Sequence, residues 1–250
     1  MTDVINVIAY ESWDEFKSQL VHELFDDAVF RRGEHFFRGV GSSEWRLETS
    51  FDRRFKSFTG EQRVSLWQSL LDSFRSVMTE SAFPPELYAD EINALALGQH
   101  NGLPTRLLDW TVSPYVAAYF AFRHALNQEF DPGQRVAIWV LHTRSKVWSR
   151  DYGVELVSLE PTTNERLRAQ GGRFSYQRTP HACLEDYIRD LGVSEALDVV
   201  TLPVPTAIQA IPDLEAMGVH AGTLFPDISG LAEAATLRAT YSHLANTLQE

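Results

Sequence analysis

The sequence predicts an α+β fold in a single domain that spans residues 1–250. Segments of helical and of strand periodicity are interspersed, without the regular strand–helix alternation of a doubly wound sheet. No internal repeat, low-complexity tract or long linker rich in proline, glycine and serine divides the chain. With 44% hydrophobic residues, a chain of this length can bury a substantial core.

The N-terminal helix is predicted from its cap. Ser12 and Glu15 have the spacing of a capping box, and apolar residues follow at helical intervals, so the helix covers about residues 12–26. The core then spans about residues 34–231 and begins with a strand at 34–40. By the same criteria, the other elements are helices at 64–78, at 86–97 closing on Gly98, at 208–217 with a start or bend at Pro212, and at about 228–248, and strands at 135–142 and 197–203.

The most informative segment surrounds Asp109. A short strand at 107–111 places this carboxylate between apolar neighbours. Ser113 followed by Pro114 is typical of an N-cap and a first helical position, so a helix begins there. The N-terminus of that helix, with its free N–H groups and partial positive charge, lies beside Asp109 and Thr111, where it can receive the phosphate of a nucleotide.

Composition limits the compartment and the partners. The chain has no apolar run of about 18 residues and no signal-peptide pattern at its start, so we expect a cytoplasmic protein without membrane contact. The net charge of −12 opposes unspecific attraction to nucleic acids, although a local basic patch can override it. The lone Cys183 excludes an intrachain disulfide, and no histidines have metal-ligand spacing, so we expect no metal site.

Several stretches together resemble the FRG domain family, which is named for its Phe/Tyr-Arg-Gly motif. The resemblance covers nearly the whole chain from about the first predicted strand onward. It rests on Phe37-Arg38-Gly39 with the later Trp45, on residues 99–114, on Ala169-Gln170-Gly171-Gly172-Arg173-Phe174 and on residues 224–231.

The order of these motifs also resembles the ADP-ribosyltransferase superfamily of the arginine, Ser-Thr-Ser, glutamate type. Its aromatic-Arg-Gly strand is similar to residues 37–39. Its Ser-Thr-Ser strand end, followed by a helix, is similar to residues 111–121. The resemblance implies a mixed or antiparallel split sheet with flanking helices, and a cleft that binds NAD as co-substrate.

The same resemblance implies roles for individual residues. Arg38, with Gly39, would hold phosphate or ribose oxygens of NAD, since a guanidinium makes two directed hydrogen bonds to phosphate. The hydroxyls of Thr111 and Ser113 would brace the nicotinamide pocket. Tyr119 is one of several aromatic residues that could stack on a base or on the nicotinamide ring.

The third motif departs from the pattern. The transferases have a glutamate that hydrogen-bonds the nicotinamide ribose and favours the positively charged transition state, and the equivalent residue here is Gln170. A glutamine can hydrogen-bond a ribose hydroxyl but supplies no charge. Binding would then persist while transfer slows, unless Asp109 or Glu165 provides the carboxylate.

Structural roles compete with these functional ones. Arg38 can be a strand arginine paired with a carboxylate, and Ser113 can serve only as a helix cap. Asp109 can pair with Arg106 or Arg38, in which case its removal should destabilise the fold. His100 is a candidate general base, although a lone histidine is more often a hydrogen-bonded structural residue.

Three functional hypotheses follow. The first is an NAD-binding, ADP-ribosyltransferase-like enzyme that cleaves the nicotinamide glycosidic bond and passes ADP-ribose to a protein, a nucleic acid or water. The second is a non-catalytic nucleotide-binding or interaction module on the same fold. The third is an NAD-independent hydrolase or nuclease that uses His100 and Asp109. The candidate catalytic residues are therefore Gln170, Asp109 and His100.

Overall fold

A seven-stranded mixed sheet organises the computed structural model, which describes residues 4–22, 24–26, 29–31, 33–128, 131–158 and 168–247. Its strand order is β1-β9-β6-β4-β5-β8-β7, and β2 pairs with β3 in a separate ribbon. The β1–β9 pair is parallel and the other pairs are antiparallel. The strands are β1 (Asn6–Ala9), β2 (Phe25–Asp26), β3 (Val29–Phe30), β4 (His35–Val40), β5 (Leu107–Thr111), β6 (Arg135–His142), β7 (Val154–Val157), β8 (Gly172–Gln177) and β9 (Leu197–Pro203).

Helices cover the sheet on both faces. Short 3-10 turns occupy Pro85–Leu87, Arg150–Tyr152 and Val204–Thr206. The helices are α1 (Trp13–Glu15, continuing as a π-helix over Phe16–Val21), α2 (Ser50–Arg54), α3 (Gly60–Glu80), α4 (Glu91–His100), α5 (Pro114–Leu126), α6 (Leu184–Leu191), α7 (Ala207–Ala216), α8 (Ala221–Leu224) and α9 (Ile228–Thr247).

Three apolar clusters form the core of the described residues. The largest joins α5 to α1, α7, α8 and α9 over β6 and β9. A second cluster packs α6 on residues of the sheet such as Trp110 and Trp139, and a third packs α3 and α4 against β5 and β8. The predicted α+β fold is therefore confirmed in its main features, since helices flank one mixed sheet.

Several predicted elements match closely, and two helices need correction. The strands at 107–111, 135–142 and 197–203 are found as predicted. The N-terminal helix ends near Val21 instead of residue 26, because Leu24 reaches the core from a turn and the chain enters β2. The apolar residues Leu24 and Phe25, which fitted the helical spacing in the sequence, therefore lie beyond the end of this helix.

The helix predicted at 86–97 is displaced towards the C-terminus. It begins at Glu91, where the Asp90 side chain accepts a hydrogen bond from the Asn93 N–H at 2.8 Å. It then runs through Gly98 to His100 instead of closing on the glycine. A Cβ at Gly98 would lie 2.7 Å from the Leu103 side chain, so this glycine permits close packing and does not end the helix.

Helix α5 lies unusually close to β4. A Cβ at Gly39 would overlap the carbonyl oxygen of Ala117 and lie 2.7 Å from the backbone nitrogen of Ala121. The same helix approaches Gly41, where a Cβ would lie 2.7 Å from the Cβ of His124. These two glycines let the backbones of strand and helix touch, which fixes the position of α5 on the sheet.

We expect Gly39→Ala to destabilise the protein, because the added methyl group meets backbone atoms that cannot rotate away. The free energy of unfolding should fall by about 3 kcal/mol, the upper end of the usual effect of overpacking. Chemical denaturation measures this change. Gly133→Ala is the control, since its Cβ would meet the Asp131 side chain at 3.3 Å in an exposed turn. Equal stability of the two variants would contradict this account of the α5–β4 contact.

Candidate ligand-binding cleft

The sheet parts between β4 and β5. These strands pair through one residue couple, Phe37 with Thr111, whereas β4 pairs with β6 through six couples and β5 with β8 through five. Beyond Phe37 the Arg38 side chain reaches across the gap, and its Nη1 donates to the backbone carbonyl of Asp109 at 2.7 Å. A guanidinium thus satisfies a carbonyl that the neighbouring strand would otherwise bond.

A cleft with two lobes opens at this gap. Arg38, Arg53 and Asp109 line both lobes and form the junction between them. The first, called the ring lobe, has a volume of about 350 Å³ and is also lined by Phe37, Gly39, Trp110, Thr111, Ala117, Phe120, Arg123, His124, Gln170 and Phe225. The second, called the arginine lobe, has a volume of about 520 Å³ and is also lined by Ser50, Arg54, Gln99, Gly102, Leu103, Pro104, Leu107 and Leu108.

The cleft is positively charged although the chain carries a net charge of −12. Among the described residues that line it are four arginines and one carboxylate, Asp109. Arg53 donates through Nη1 to the backbone carbonyl of Glu48 at 2.6 Å. Because a carbonyl is neutral, this contact does not compensate the charge of the guanidinium. Such a local concentration of arginine attracts anions despite the acidic whole.

Asp109 is held in place from two sides. Oδ2 of Asp109 lies 3.7 Å from Arg38 Nη1, and Oδ1 of the same carboxyl accepts a hydrogen bond from Gln99 Nε2 at 2.8 Å. The Gln99 amide has a fixed orientation, because Thr105 Oγ1 accepts from the Leu107 N–H and donates to Gln99 Oε1. Gln99 must therefore present its NH₂ group to the carboxyl of Asp109.

The environment of this carboxyl is mixed. The side chain is 61% exposed, because the cleft is open to water. The surrounding protein atoms nevertheless restrict its hydration and raise the pKa of Asp109 above its ordinary value, with Arg38, Arg53 and Gln99 acting in the opposite direction. The sequence left Arg106 and Arg38 open as partners for Asp109, and the structure pairs it with Arg38.

Thr111 and Ser113 organise the backbone at the end of β5. Thr111 Oγ1 donates to the Gln170 carbonyl at 2.6 Å and accepts from the Ser113 N–H at 3.1 Å. Ser113 accepts from the Val116 N–H at 3.3 Å and caps α5, as the sequence predicted. Thr111 lines the ring lobe, whereas Ser113 lines neither lobe.

Gln170 lies at the wall of the ring lobe. Its side-chain Nε2 donates to the Leu224 carbonyl at 3.1 Å, so the amide ties its own loop to the segment that carries Phe225. Glu165, the other carboxylate considered from the sequence, lies outside the described residues.

Two predicted site residues are placed away from the cleft. Tyr119 is 1% exposed and lines a different cavity of about 100 Å³ beneath α9, so it does not join Arg38. His100 is exposed at the end of α4 and lines neither lobe. Helix geometry explains this difference: Gln99 faces Asp109, and the next residue points about 100° away around the helix.

Several cleft residues were not selected from the sequence. Arg53 comes from α2, and Arg123 and His124 come from the last turn of α5. The Arg123 guanidinium lies 5.8 Å from the Phe120 ring centre and 5.1 Å from that of Phe225, and it is also ion-paired with Glu233. Only tertiary folding brings these three residues together. Arg123 and His124 lie about three turns after the Ser-Pro cap on the same helix, and this spacing was a usable signal for those two.

A second group of arginines is internal and structural. The Asp52 carboxyl contacts Arg63 Nη1 at 2.9 Å and Arg106 Nη2 at 3.4 Å, and all three side chains are at least 96% buried. Arg106 also donates to the carbonyls of Thr179 and His181 at 2.6 and 2.8 Å. These contacts fix the turn that leads into β5.

Comparison with known proteins gives one match. A sequence model of the FRG domain family matches residues 33–129, a range that includes β4, β5 and α5. No curated protein and no solved structure matches the chain.

Two further properties concern the described part of the chain. None of its helices combines the length and the apolar character that a membrane crossing requires. It also holds no group of three His, Cys, Asp or Glu side chains arranged to bind a metal ion.

The two aspartates should differ in their effect on stability. Asp52→Asn leaves two buried arginines without their counter-charge, so the free energy of unfolding should fall by about 3–5 kcal/mol. Asp109→Asn removes a charge that water reaches, and its effect should stay below about 1 kcal/mol. Urea denaturation of both variants tests this expectation. A larger loss for Asp109→Asn would mean that Asp109 has mainly a structural role.

Proposed function

We propose that this chain, a member of the FRG domain family over residues 33–129, binds NAD in the two-lobed cleft and cleaves its nicotinamide glycosidic bond. The ADP-ribose then passes to a protein, a nucleic acid or water. In this proposal the parted sheet corresponds to the split sheet of an ADP-ribosyltransferase-like fold. One observation carries the proposal: an arginine-rich lobe and an aromatic lobe meet at a carboxylate.

The arginine lobe suits the diphosphate of NAD. Arg53 and Arg54 are exposed residues of α2 that line it, and Arg38 lies at its junction with the ring lobe. Arginine binds phosphate oxygens through paired, charge-assisted hydrogen bonds. The volume of about 520 Å³ falls within the usual range for small-molecule sites.

The ring lobe suits the nicotinamide end. Phe120 and Phe225 line it, and their rings meet edge to face with 6.0 Å between the ring centres and 87° between the planes. Aromatic walls favour flat rings over flexible polar groups. Thr111 shapes the floor by holding the Gln170 loop, which agrees with a positioning role at the nicotinamide pocket.

Asp109 is the group that would act on the bond. Cleavage breaks the bond between the ribose C1′ and the nicotinamide nitrogen, and the electron pair leaves with nicotinamide. Positive charge then develops on the ribose ring, where a nearby carboxylate stabilises it. The oxygen of an acceptor hydroxyl or of water then attacks C1′ and loses its proton to solvent. Gln170 uses its amide to hold Leu224, so the carboxylate at the junction of the lobes is the better candidate.

A non-catalytic binding module is the second candidate. It is favoured by the same position of Gln170, where the transferases have a glutamate and where the amide here makes a structural contact. A module of this kind would bind NAD or ADP-ribose without releasing nicotinamide. The hydrolase based on His100 and Asp109 receives no comparable support, since Gln99 is the helix residue that contacts Asp109.

Nicotinamide release from NAD by the purified protein tests the enzymatic proposal. Wild type should release nicotinamide. Arg38→Ala should reduce kcat/KM by about 100-fold or more, since a charged hydrogen bond to the ligand and the support of Asp109 are lost together. Asp109→Asn should lower kcat with little change in NAD affinity. Arg144→Ala is the control, because Arg144 is 79% exposed and lies outside both lobes.

The outcomes separate the candidates. NAD binding without release by wild type supports the binding module. Neither binding nor release by a folded wild-type protein contradicts both proposals.

The pH dependence of turnover should report Asp109. The carboxyl acts as an anion, and its pKa is raised, so turnover should be complete well above that pKa and should be lost as the pH falls through it. The midpoint should lie above the ordinary aspartate value of about 3.9. An initial-rate profile with circular dichroism at each pH tests this. Constant activity down to the ordinary range, in folded protein, would exclude Asp109 as the acting carboxylate.

A further inference from the structure

We infer that His124 is the specificity-determining residue of the ring lobe and that it recognises the carboxamide group of nicotinamide. This inference rests on the proposed binding of NAD and extends it to a residue outside the motifs of the sequence resemblance. It is carried by the position of His124, by a polar atom without a partner, and by the charges around the ring.

The position of His124 is fixed by the close approach of α5 and β4. The Cβ of His124 lies directly beside Gly41, and a side chain at position 41 would collide with it. The imidazole then lines the ring lobe beside Phe120, with 6.3 Å between the two ring centres. A flat ligand placed against Phe120 and Phe225 would have the edge of His124 within reach.

The imidazole is incompletely hydrogen-bonded. Its Nδ1 is buried and has no hydrogen-bond partner in the described part of the protein. Because solvent and ligand cannot reach Nδ1, the edge available to a ligand is the one that carries Nε2. A ligand group that bonds Nε2 is recognised through that contact.

The charge state of His124 fits a nicotinamide ring. Burial, together with Arg123 and Arg38, lowers the pKa of His124 to about 4, so the imidazole is neutral at physiological pH. The nicotinamide ring of NAD is cationic, and a charged histidine would repel it, whereas a neutral one offers a hydrogen bond without repulsion. Arg123 is ion-paired with Glu233, which reduces its own repulsion of such a ring.

The carboxamide is the matching group. A neutral imidazole nitrogen either donates or accepts one hydrogen bond, and a primary carboxamide carries both a carbonyl and an NH₂ group. ADP-ribose has no such group, so it occupies the rest of the cleft without contacting His124. The two ligands therefore separate the contribution of His124 from that of the phosphate and ribose contacts.

Calorimetric titration with two probes tests the inference. The probes are ADP-ribose and a carbocyclic NAD analogue whose nicotinamide bond is not cleaved. His124→Leu removes every hydrogen-bonding atom of the side chain, whereas His124→Gln keeps an amide at about the level of Nε2. The Leu variant should bind the NAD analogue about 10- to 100-fold more weakly than wild type, as expected for a buried polar contact that is lost. Its affinity for ADP-ribose should change less than twofold, and the Gln variant should recover most of the lost affinity.

Other results overturn the inference. Equal losses for the two probes would show that His124 only supports packing, and unchanged affinities would show that it contacts no ligand. If the Leu variant loses both ligands and its fold, the Gln variant decides. An affinity of the Gln variant for the NAD analogue that is as weak as its affinity for ADP-ribose, or weaker, overturns the inference. A wild-type protein that binds ADP-ribose but gains no affinity from nicotinamide overturns this inference alone, whereas one that binds neither probe overturns the proposed function as well.

Discussion

Helix α5 touches strand β4 at Gly39, where the Ala117 carbonyl occupies the space that any side chain would need. This contact holds α5 against β4 while β5 departs from β4 beyond the couple of Phe37 and Thr111. The cleft is the space left between the two strands, and its floor is completed by Arg38, whose guanidinium bonds the unpaired carbonyl of Asp109. The packing of a helix thus determines where a charged and solvent-accessible site opens within a sheet that is otherwise continuous.

Two groups of arginines have different surroundings. Arg63 and Arg106 are buried around Asp52, where one carboxyl and backbone carbonyls stabilise their charges. The arginines of the cleft face one carboxylate among the described lining residues, and that carboxylate is open to water. A chain with a net charge of −12 therefore presents a local group of arginines where the sheet parts, an electrostatic arrangement that suits an anionic ligand.

Local sequence predicted the elements whose signals are local. The cap formed by Ser113 and Pro114 placed the start of α5 correctly, and the apolar run from Arg135 to His142 gave a central strand. Strands β1, β7 and β8 were missed, because short or glycine-containing segments take their structure from pairing within the sheet. Helix α6 was missed too, although Leu184, Tyr187 and Ile188 recur at helical spacing. In the site, the motifs gave Arg38, Gly39, Asp109, Thr111 and Gln170, which all line the cleft. Tyr119 was misplaced because the choice of helix face depends on tertiary packing, and Arg53 and His124 become neighbours of Arg38 only in the folded chain.

A crystal structure of the protein with the carbocyclic NAD analogue tests the central claim most directly. We expect density that spans both lobes, with the diphosphate beside Arg53 and Arg54, the nicotinamide ring against Phe120 and Phe225, and the ribose next to the carboxyl of Asp109. Ligand bound elsewhere on the molecule, with the space between β4 and β5 empty or closed, would contradict it.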